Sequence, residues 1–412
     1  MSLSSRVFEP ESNTAVPSGS RQRPEHWEND AGTLFRNPWP SFHPHSAADK
    51  AAMALTFMKN MPEVPRNIKE LMPVHKPVFS DISPQKLKAT WLGHACFLLD
   101  LPARSVVSLA QSASPGDNQT NVEQAGSPSR GIRILFDPVF SERCSPSQWM
   151  GPKRFTPSPC QVSDLPKIDA VVISHNHYDH LDEATLRELF KRDPKLHVFA
   201  PLGNRPLLQS LSASPERCHI LDWWEKRRLC VEVPGTSLEV DLTCTPCQHH
   251  SGRGIMDHFQ TLWCSWAIEE VLQNRSPPSS LSNMVTPKKV FFAGDTGYRT
   301  VLEGADENAV PVCPVFREIG ERFGEFDLAL VPIGAYEPRR FMSCAHCAPQ
   351  DSVQLFMDVR AKRGLAMHWG TWIPGTTEPV LEAPDRLREA CTAAGLEDGT
   401  FVACELGESF FY

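Results

Sequence analysis

The chain has 412 residues, of which 41% are apolar and 22% charged, which suffices for one large hydrophobic core or two smaller ones. This composition excludes a disordered chain and a mini-protein that depends on disulfides. The formal charge of −8 gives the whole protein no electrostatic basis for binding nucleic acid. The sequence also contains no run of about 18 apolar residues, which a membrane span would require.

The N-terminal residues 1–88 are rich in proline, so we expect a partly disordered arm and not a domain. The proline-free run Ala47–Met61 predicts a short amphipathic helix, with Met53, Phe57 and Met61 on one stripe. Two interpretations of this stripe stay open. It packs on the main body, or it inserts into a lipid surface.

Residues 89–412 form the predicted catalytic domain, in which strands alternate with helices. Ala89–Leu101 predicts a strand, and Gly131–Phe136 predicts its hairpin partner. Further strands are predicted at 168–174, 196–200, 238–245, 263–268, 288–293, 327–332 and 364–367, and helices at 182–192 and 349–362. This alternation indicates α/β or α+β layering.

Two segments of the predicted domain, 103–130 and 274–287, have low complexity and few large apolar residues. They cannot bury enough surface to offset their chain entropy, so we expect disordered insertions. The 13 cysteines show no framework spacing, and the N-terminus lacks the basic-then-apolar pattern of a signal peptide. We therefore expect reduced thiols and a cytoplasmic protein.

The strongest chemical signal is the segment Ser174–Asp182, which follows a predicted strand. Within six residues it places four side chains that bind metals: His175, His177, Asp179 and His180. Such a packed loop costs chain entropy and desolvation, which a divalent metal ion offsets. The first two imidazoles can face one ion while the aspartate and the last histidine face another. A polar loop that merely caps a helix through Asp182 would not need three histidines.

Three other predicted strands end in residues of the same type, namely the pair His249-His250, Asp295 and His368. Each alone is weak evidence, because a single histidine after a strand is commonly a buried structural residue. Together with the loop they supply seven ligands, with Asp295 a candidate for bridging two ions. Seven exceeds the four ligands of one tetrahedral zinc, so the sequence predicts a two-metal centre.

The His-x-His-x-Asp-His loop with a downstream His, Gly-Asp and final His resembles the metallo-β-lactamase superfamily. Within it, the flanking motifs are similar to those of the N-acylphosphatidylethanolamine-hydrolysing phospholipases D, from about residue 60 to the C-terminus. The motifs are Trp91-Leu-Gly-His-Ala95, Asp137-Pro-Val139, Gly151-Pro-Lys-Arg154, Asp222-Trp-Trp-Glu225, Thr245-Pro-Cys-Gln-His249, Phe292-Ala-Gly-Asp-Thr-Gly-Tyr298, Pro332-Ile-Gly-Ala-Tyr-Glu-Pro-Arg339 and His368-Trp-Gly-Thr371.

The resemblance implies a four-layer αβ/βα sandwich of the α+β class, preceded by the proline-rich arm, with two Zn²⁺ per chain at one rim. It places His175, His177 and His249 on the first zinc, Asp179, His180 and His368 on the second, and Asp295 between them. Two metals activate water and clamp the oxygens of a phosphodiester. Asp179 and Asp295 thereby serve catalysis as well as metal binding.

The implied activity is hydrolysis of N-acylphosphatidylethanolamine to N-acylethanolamine and phosphatidic acid. His346 falls at the substrate-side histidine of the family, where it would orient the phosphate or protonate the leaving alkoxide. An exposed loop histidine is the simpler alternative. Tyr336 and Arg339 are the other implied substrate-binding residues.

Two positions depart from the family pattern. His250 stands where an aromatic residue is expected, which leaves open whether His249 or His250 points into the centre. Arg340 replaces a tryptophan beside Arg339 and makes this rim more basic. His94, in the Trp-Leu-Gly-His strand, is interpreted as a buried hydrogen-bonded residue, with a supporting role at the metals as the alternative.

Other functions are also considered. The nearest is a different binuclear zinc hydrolase on the same scaffold, a lactonase or a nucleotide phosphodiesterase, and a more distant one is a metal-free scaffold or lipid-binding protein. The pairs Cys244/Cys247 and Cys344/Cys347 lie too far apart for a zinc ribbon. An aspartic protease requires two shared carboxylates, and only one Asp-Thr-Gly occurs.

The implied partner is a phospholipid substrate at a membrane surface, with no nucleic acid. The expected location is cytoplasmic and peripheral on an intracellular membrane. A homodimer is the candidate assembly, although the sequence leaves the oligomeric state open.

Overall fold

The computed structural model describes residues 4–10, 23–83, 85–103, 130–233, 236–254, 256–272, 286–373 and 375–412. Both predicted low-complexity insertions lie almost entirely outside these ranges. The strands are β1 (Ser5–Phe8), β2 (Lys88–Gly93), β3 (Cys96–Asp100), β4 (Arg133–Phe136), β5 (Ala170–Val172), β6 (His197–Pro201), β7 (Cys218–Leu221), β8 (Lys226–Val233), β9 (Thr236–Thr245), β10 (Ser265–Val271), β11 (Lys289–Phe292), β12 (Leu328–Pro332), β13 (Gly364–Met367), β14 (Phe401–Val402) and β15 (Ser409–Phe411).

Most of the α-helices lie in the chain between two strands that pair in parallel. They are α1 (Ala47–Asn60), α2 (Ile68–Leu71), α3 (Glu183–Arg192), α4 (Arg205–Ser210), α5 (Val315–Phe323), α6 (Arg339–Met342), α7 (Pro349–Asp358) and α8 (Ala383–Ala393). None of those described is long and apolar enough to cross a bilayer.

The strands form two mixed sheets. The eight-stranded sheet has the order β1-β8-β9-β10-β11-β12-β13-β14, and the seven-stranded sheet has the order β15-β2-β3-β4-β5-β6-β7. Pairing is antiparallel from β1 to β11 and from β15 to β4, and parallel in the remainder of each sheet. In the first sheet, β9, β11 and β13 therefore run in the same direction, as do β2, β4 and β5 in the second.

The inner faces of the sheets pack against each other, as in the contact between Phe136 and Phe292, whose ring centroids lie 4.6 Å apart. The outer face of the seven-stranded sheet is covered by α3, whose buried stripe contains Leu186, Leu189 and Phe190. Apolar residues of α5, α7 and α8 join the core of the other sheet. These four layers confirm the predicted α+β sandwich.

The N-terminal arm is tied to the body along its described length. β1 pairs with the edge strand β8. The His26 ring and the Trp27 indole N–H both hydrogen-bond the Asp222 carboxylate, at 2.6 and 3.1 Å. The indole of Trp39 stacks on Trp223 with ring centroids 5.4 Å apart. The arm therefore completes the edge of one sheet and part of the core.

Most predicted strands are found within a few residues of their expected bounds, and one prediction was wrong in detail. Ala89–Leu101 is two strands, β2 and β3, because the chain turns sharply at His94, whose φ is +52°. Apolar residues continue on both sides of this turn, so the pattern alone concealed it. The predicted helix at 349–362 ends at Asp358.

Candidate metal centre

The candidate site lies at one rim of the sandwich, where strands that run in the same direction end. The loop Ser174–Asp182 follows β5, and the segments that contain His249, Asp295 and His368 follow β9, β11 and β13. Asp182 ends the loop by accepting a hydrogen bond from the Ala184 N–H, which caps α3. The fold thereby gathers residues that are far apart in sequence.

Three histidines form one group at this rim. The Nε2 atom of His175 lies 2.8 Å from Nδ1 of His177, and Nε2 of His249 lies 3.4 Å from the same atom. His175 and His249 are buried. Three imidazole nitrogens that converge in this way match the donor set of a zinc ion.

A second group lies beside the first and contains Asp179, His180 and His368. Nε2 of His368 lies 3.6 Å from Oδ2 of Asp179 and 2.9 Å from Oδ2 of Asp295. Nε2 of His180 lies 3.2 Å from that same Asp295 oxygen. A carboxylate and two imidazoles thus face one point.

Asp295 connects the two groups. Its Oδ2 atom is also 4.0 Å from Nε2 of His175 and 3.8 Å from Nε2 of His249. The structure therefore brings together all seven side chains that the sequence singled out as ligands, with Asp295 between the two sets. The groups of potential metal ligands among the described residues include no cysteine, in agreement with the rejection of a zinc ribbon.

A set of hydrogen bonds fixes the far side of the histidine rings. His180 Nδ1 lies 2.7 Å from Oδ2 of Asp137, the residue that follows β4, and the Ser174 hydroxyl donates to the same carboxylate oxygen at 2.5 Å. His249 Nδ1 donates to the Ala345 carbonyl at 2.8 Å. Partners of this kind orient an imidazole so that its other nitrogen faces the metal. The sequence identifies Asp137 only as part of a motif. Its role as the partner of His180 depends on the pairing of β4 with β5, which the local sequence does not show.

His94 is buried at the same rim, because the turn between β2 and β3 directs it there. Its Nε2 atom lies 2.9 Å from Oδ2 of Asp179. The structure therefore combines the two interpretations of this residue, since it is both buried and in contact with a predicted ligand.

The electrostatics of the first group suit metal ligation, which requires neutral imidazoles. Burial lowers the pKa of His177 to about 4 and holds the pKa of His175 and His249 well below the ordinary value. These rings are therefore uncharged at neutral pH.

The second group behaves differently. Burial alone would lower the pKa of His368, but the Asp295 and Asp179 carboxylates raise it to about 9. Burial alone would raise the pKa of Asp295, but the neighbouring charges of His180 and His368 hold it well below its usual range. Without an ion, imidazolium charges balance the two carboxylates, and a divalent cation could take over this role.

Unsatisfied polar atoms support the fit of this site to metal ions. Oδ1 of Asp295 is buried without a hydrogen-bond partner, and Nε2 of His180 and of His368 are buried with close ionic contacts to Oδ2 of Asp295 whose geometry is not that of a hydrogen bond. A buried polar atom without a partner is costly, and these three lie within one small cluster. Cations bound between the two groups would satisfy them.

His249 and His250 differ in position relative to the cluster. His249 contributes Nε2 to the cluster, whereas His250 stacks against it with ring centroids 4.8 Å apart and an interplanar angle of 11°. His250 lines the adjacent cavity, and its Nδ1 atom is buried without a partner.

His346 faces the predicted ligands from the C-terminal end of the α6 segment. Its Nδ1 atom lies 3.9 Å from Oδ2 of Asp295, and its ring centroid lies 5.3 Å from that of His368. Its side chain is 15% exposed and lines the cavity. The alternative of a solvent-exposed loop histidine is therefore wrong.

Tyr336 and Arg339, which the resemblance implied as substrate-binding residues, have other partners. The Tyr336 hydroxyl donates to Glu382 at 2.5 Å, and the Arg339 guanidinium forms an ion pair with Asp351, with an N–O distance of 2.7 Å. Neither lines the cavity above the cluster. The backbone of their motif leads to α6, and in this structure neither side chain is placed to contact a substrate in this cavity.

A cavity of about 470 Å³ opens directly above the cluster. His177, Asp179, Asp295, His346 and His368 lie at its polar end. Its other walls are largely apolar, with contributions from α1, α6 and the arm: Phe42, Pro44, Met53, Phe57, Phe341 and Met342. The arrangement suits a substrate with one anionic group and one apolar part.

Residues 132–369 match the Beta-lactamase superfamily domain family. The chain is 32% identical over 388 residues to N-acyl-phosphatidylethanolamine-hydrolyzing phospholipase D 1 of Caenorhabditis elegans, covering 92% of each chain. It is 30% identical over 388 residues to the mitochondrial N-acyl-phosphatidylethanolamine-hydrolyzing phospholipase D of Saccharomyces cerevisiae, covering 91% of this chain and 75% of that one. Among solved structures, isothiocyanate hydrolase from Delia radicum gut bacteria aligns with a TM-score of 0.48 and 16% identity, over 79% of this chain and 99% of that one.

Proposed function

Because the chain belongs to the metallo-β-lactamase superfamily, and within it to the N-acylphosphatidylethanolamine-hydrolysing phospholipases D, it is a metal-dependent hydrolase, and we propose that it is a zinc-dependent phosphodiesterase. Its proposed reaction is hydrolysis of N-acylphosphatidylethanolamine to an N-acylethanolamine and phosphatidic acid. The observation that carries this proposal is the convergence of six ligand side chains around a seventh, Asp295, at the polar end of a cavity with largely apolar walls.

Two zinc ions are the proposed cofactors. His175, His177 and His249 would hold one ion and Asp179, His180 and His368 the other, with Asp295 shared. When bound, such a pair supplies a hydroxide nucleophile at neutral pH and neutralises charge on phosphoryl oxygens. Nitrogen and carboxylate donors without thiolates are compatible with zinc.

We assign His346 the role of orienting the phosphate. Burial lowers the pKa of His346 to about 4, so its ring is neutral at pH 7 and carries a single N–H. A neutral imidazole can donate that hydrogen bond to a phosphoryl oxygen, but it has no spare proton for a leaving alkoxide. Of the two roles that the sequence left open, the structure favours orientation.

The cavity walls support a lipid as the substrate. Met53 and Phe57 of α1 pack near Phe341 and Met342 of α6, and all four line the cavity. An acyl chain placed against them would keep its phosphate at the polar end. Burial of such a chain contributes roughly 0.8 kcal/mol per methylene, which a soluble nucleotide could not gain.

We also propose that α1 docks the protein on a membrane. Met53 and Phe57 line the cavity, whereas Leu55 and Met58 on another side of α1 are exposed, as is Met61, which follows the helix. The predicted stripe thus contains two residues that line the cavity and one that is exposed at the end of the helix. A helix that lines the cavity and exposes apolar residues is suited to lie in a lipid interface. This arrangement supports a peripheral location on an intracellular membrane, reached from the cytoplasm.

The direct test is incubation of the purified chain with vesicles that contain N-acylphosphatidylethanolamine. We expect N-acylethanolamine and phosphatidic acid in equal amounts by mass spectrometry, and neither product with the Asp295→Asn variant. Opening of a lactone by the unmodified chain, without cleavage of any phosphodiester, would assign it instead to the alternative class of binuclear hydrolases.

A further inference from the structure

One residue of the N-terminal arm contacts the backbone of a predicted metal ligand. The Asn37 side-chain N–H donates to the His249 backbone carbonyl at 2.7 Å, and the Asn37 side-chain Oδ1 accepts from the His249 backbone N–H at 3.2 Å. The two residues are 212 positions apart in the chain. The amide of Asn37 thus satisfies both backbone polar groups of His249, as a neighbouring strand would.

This contact completes a series that holds the segment after β9, which ends at Thr245. The Cys247 carbonyl accepts from the Trp263 indole N–H at 2.9 Å, and the Gln248 backbone bonds Thr296 and Gly297. At His249 itself, both backbone hydrogen bonds come from Asn37. His249 and His250 are adjacent and carry the same imidazole ring, so either could in principle serve as the metal ligand. The backbone conformation of this segment decides which ring enters the centre.

Asn37 is itself held firmly on both sides. Before it, His26 and Trp27 are bound to Asp222. After it, the Ser41 hydroxyl donates to the Gln248 side chain at 2.5 Å, and the Thr300 hydroxyl donates to the Ser41 carbonyl at 2.6 Å. A side chain anchored in this way can transmit a fixed position to the backbone that it contacts.

We propose that Asn37 is a positioning residue that fixes the backbone of His249 and so selects His249, and not His250, as the metal ligand. The inference rests on the proposed metal-dependent function. It extends the site beyond the catalytic domain to the arm, which holds a proposed ligand of one of the two ions in place. Partners that orient a ligand typically change metal affinity by about 10- to 100-fold when removed.

The first experiment measures zinc binding by the full-length Asn37→Ala chain. We expect one of the two ions to bind at least about tenfold more weakly, with the other unchanged, by titration of chelator-treated protein. Ser41→Ala is the comparison variant, because it removes a neighbouring anchor of the arm but leaves the Asn37 amide on His249, so it should lose clearly less affinity than Asn37→Ala. Asn37→Asp, which keeps the acceptor for the His249 N–H, should lose less affinity than Asn37→Ala.

The second experiment tests selection between the two histidines. If His250 competes with His249 once Asn37 is lost, His250→Phe should restore part of the lost affinity in the Asn37→Ala background. Full retention of both ions by Asn37→Ala, or equal losses in Asn37→Ala and Ser41→Ala, would overturn the proposal. Absence of any restoration by His250→Phe would overturn the selection of His249.

A third measurement separates this inference from the proposed function. Amide hydrogen exchange of the 246–251 peptide in metal-free protein should accelerate more in Asn37→Ala than in Ser41→Ala. If the unmodified chain binds no metal, the proposed function fails, yet faster exchange would still show that Asn37 fixes this backbone. Unchanged exchange together with normal metal binding would reject the positioning role itself.

Discussion

At the scale of single residues, the site is organised around one carboxylate. Asp295 lies between the two groups of side chains, and its Oδ2 atom is within 4.0 Å of a nitrogen from His175, His180, His249 and His368. Removal of its charge should therefore affect both metals, whereas loss of one histidine should affect one.

We predict that Asp295→Asn lowers the zinc content from two ions to one or fewer. The amide keeps the shape of the side chain but removes the negative charge that two cations would share. Activity should fall at least about 100-fold, beyond the upper range for loss of a supporting partner. Elemental analysis and turnover measure the two effects. The exposed Asp306→Asn change is the control, and two ions retained in Asp295→Asn would contradict the bridging role.

A second residue-scale prediction concerns Glu378, a buried acid behind the α6 loop. Its carboxylate accepts from the backbone N–H groups of Ala335, Tyr336 and Glu337, at 2.7, 3.3 and 3.0 Å. Burial raises the pKa of Glu378 from its ordinary value of 4.5 to about 7. Between these values only the unfolded chain ionises, so this side chain contributes stability at low pH that is lost as the pH rises towards 7.

The measurement is the free energy of unfolding of the parent and Glu378→Gln chains between pH 5 and pH 8. We expect the parent to lose up to about 3 kcal/mol relative to the variant across this range. The variant itself should be less stable by about 1 kcal/mol at low pH, because its amide N–H groups face the Glu337 N–H. Parallel stability curves would show that Glu378 has the same pKa in both states.

At the scale of elements, strand and helix patterns identified most of the sandwich, and tertiary contacts decided the remainder. The loop Ser174–Asp182 could be assigned because its ligands are close in sequence. The supporting roles of Asp137 and Asn37 could not, since each depends on which strand or arm segment lies beside it. The turn at His94 was concealed because apolar residues continue on both sides of it. The contacts of Tyr336 and Arg339 likewise require packing that no local pattern contains.

The helix α1 gives the element-scale prediction. Met58 is 75% exposed, whereas Phe57 lines the cavity, so the two positions separate docking from substrate contact. Met58→Asp should reduce hydrolysis of vesicle-borne substrate about tenfold or more and leave a short soluble phosphodiester within about twofold, since transfer of a methionine side chain into lipid is worth about 1.5–3 kcal/mol.

Phe57→Asp should lower hydrolysis of both substrates, as should His346→Ala, because these residues face the cavity. Asn60→Asp places the same charge at the exposed end of α1 and is the matched control. Equal loss on both substrates for Met58→Asp would indicate that this face of α1 serves the structure of the protein and not its attachment to lipid.

At the scale of the whole molecule, the metal centre is also a junction. It is built from loops of both sheets, from the arm through Asn37, and from the segment after α6 through the Ala345 carbonyl. Ions bound there would connect parts of the chain that otherwise meet through the apolar core. Stability and metal content should therefore be linked, because a ligand that binds only the folded state stabilises it by mass action.

We accordingly predict that removal of metal lowers the unfolding temperature without unfolding the protein. The metal-free cluster keeps compensating charges, since His368 is protonated beside Asp295 and Asp179, so the fold should persist. Zinc at about 1,000 times its dissociation constant adds about 4 kcal/mol per site, which corresponds to a rise of several degrees. Calorimetry of chelator-treated protein, before and after addition of zinc, measures this. Asp295→Asn should recover only part of the rise. Identical unfolding temperatures for chelator-treated and zinc-loaded parent protein would show that metal binding at the cluster does not stabilise the fold.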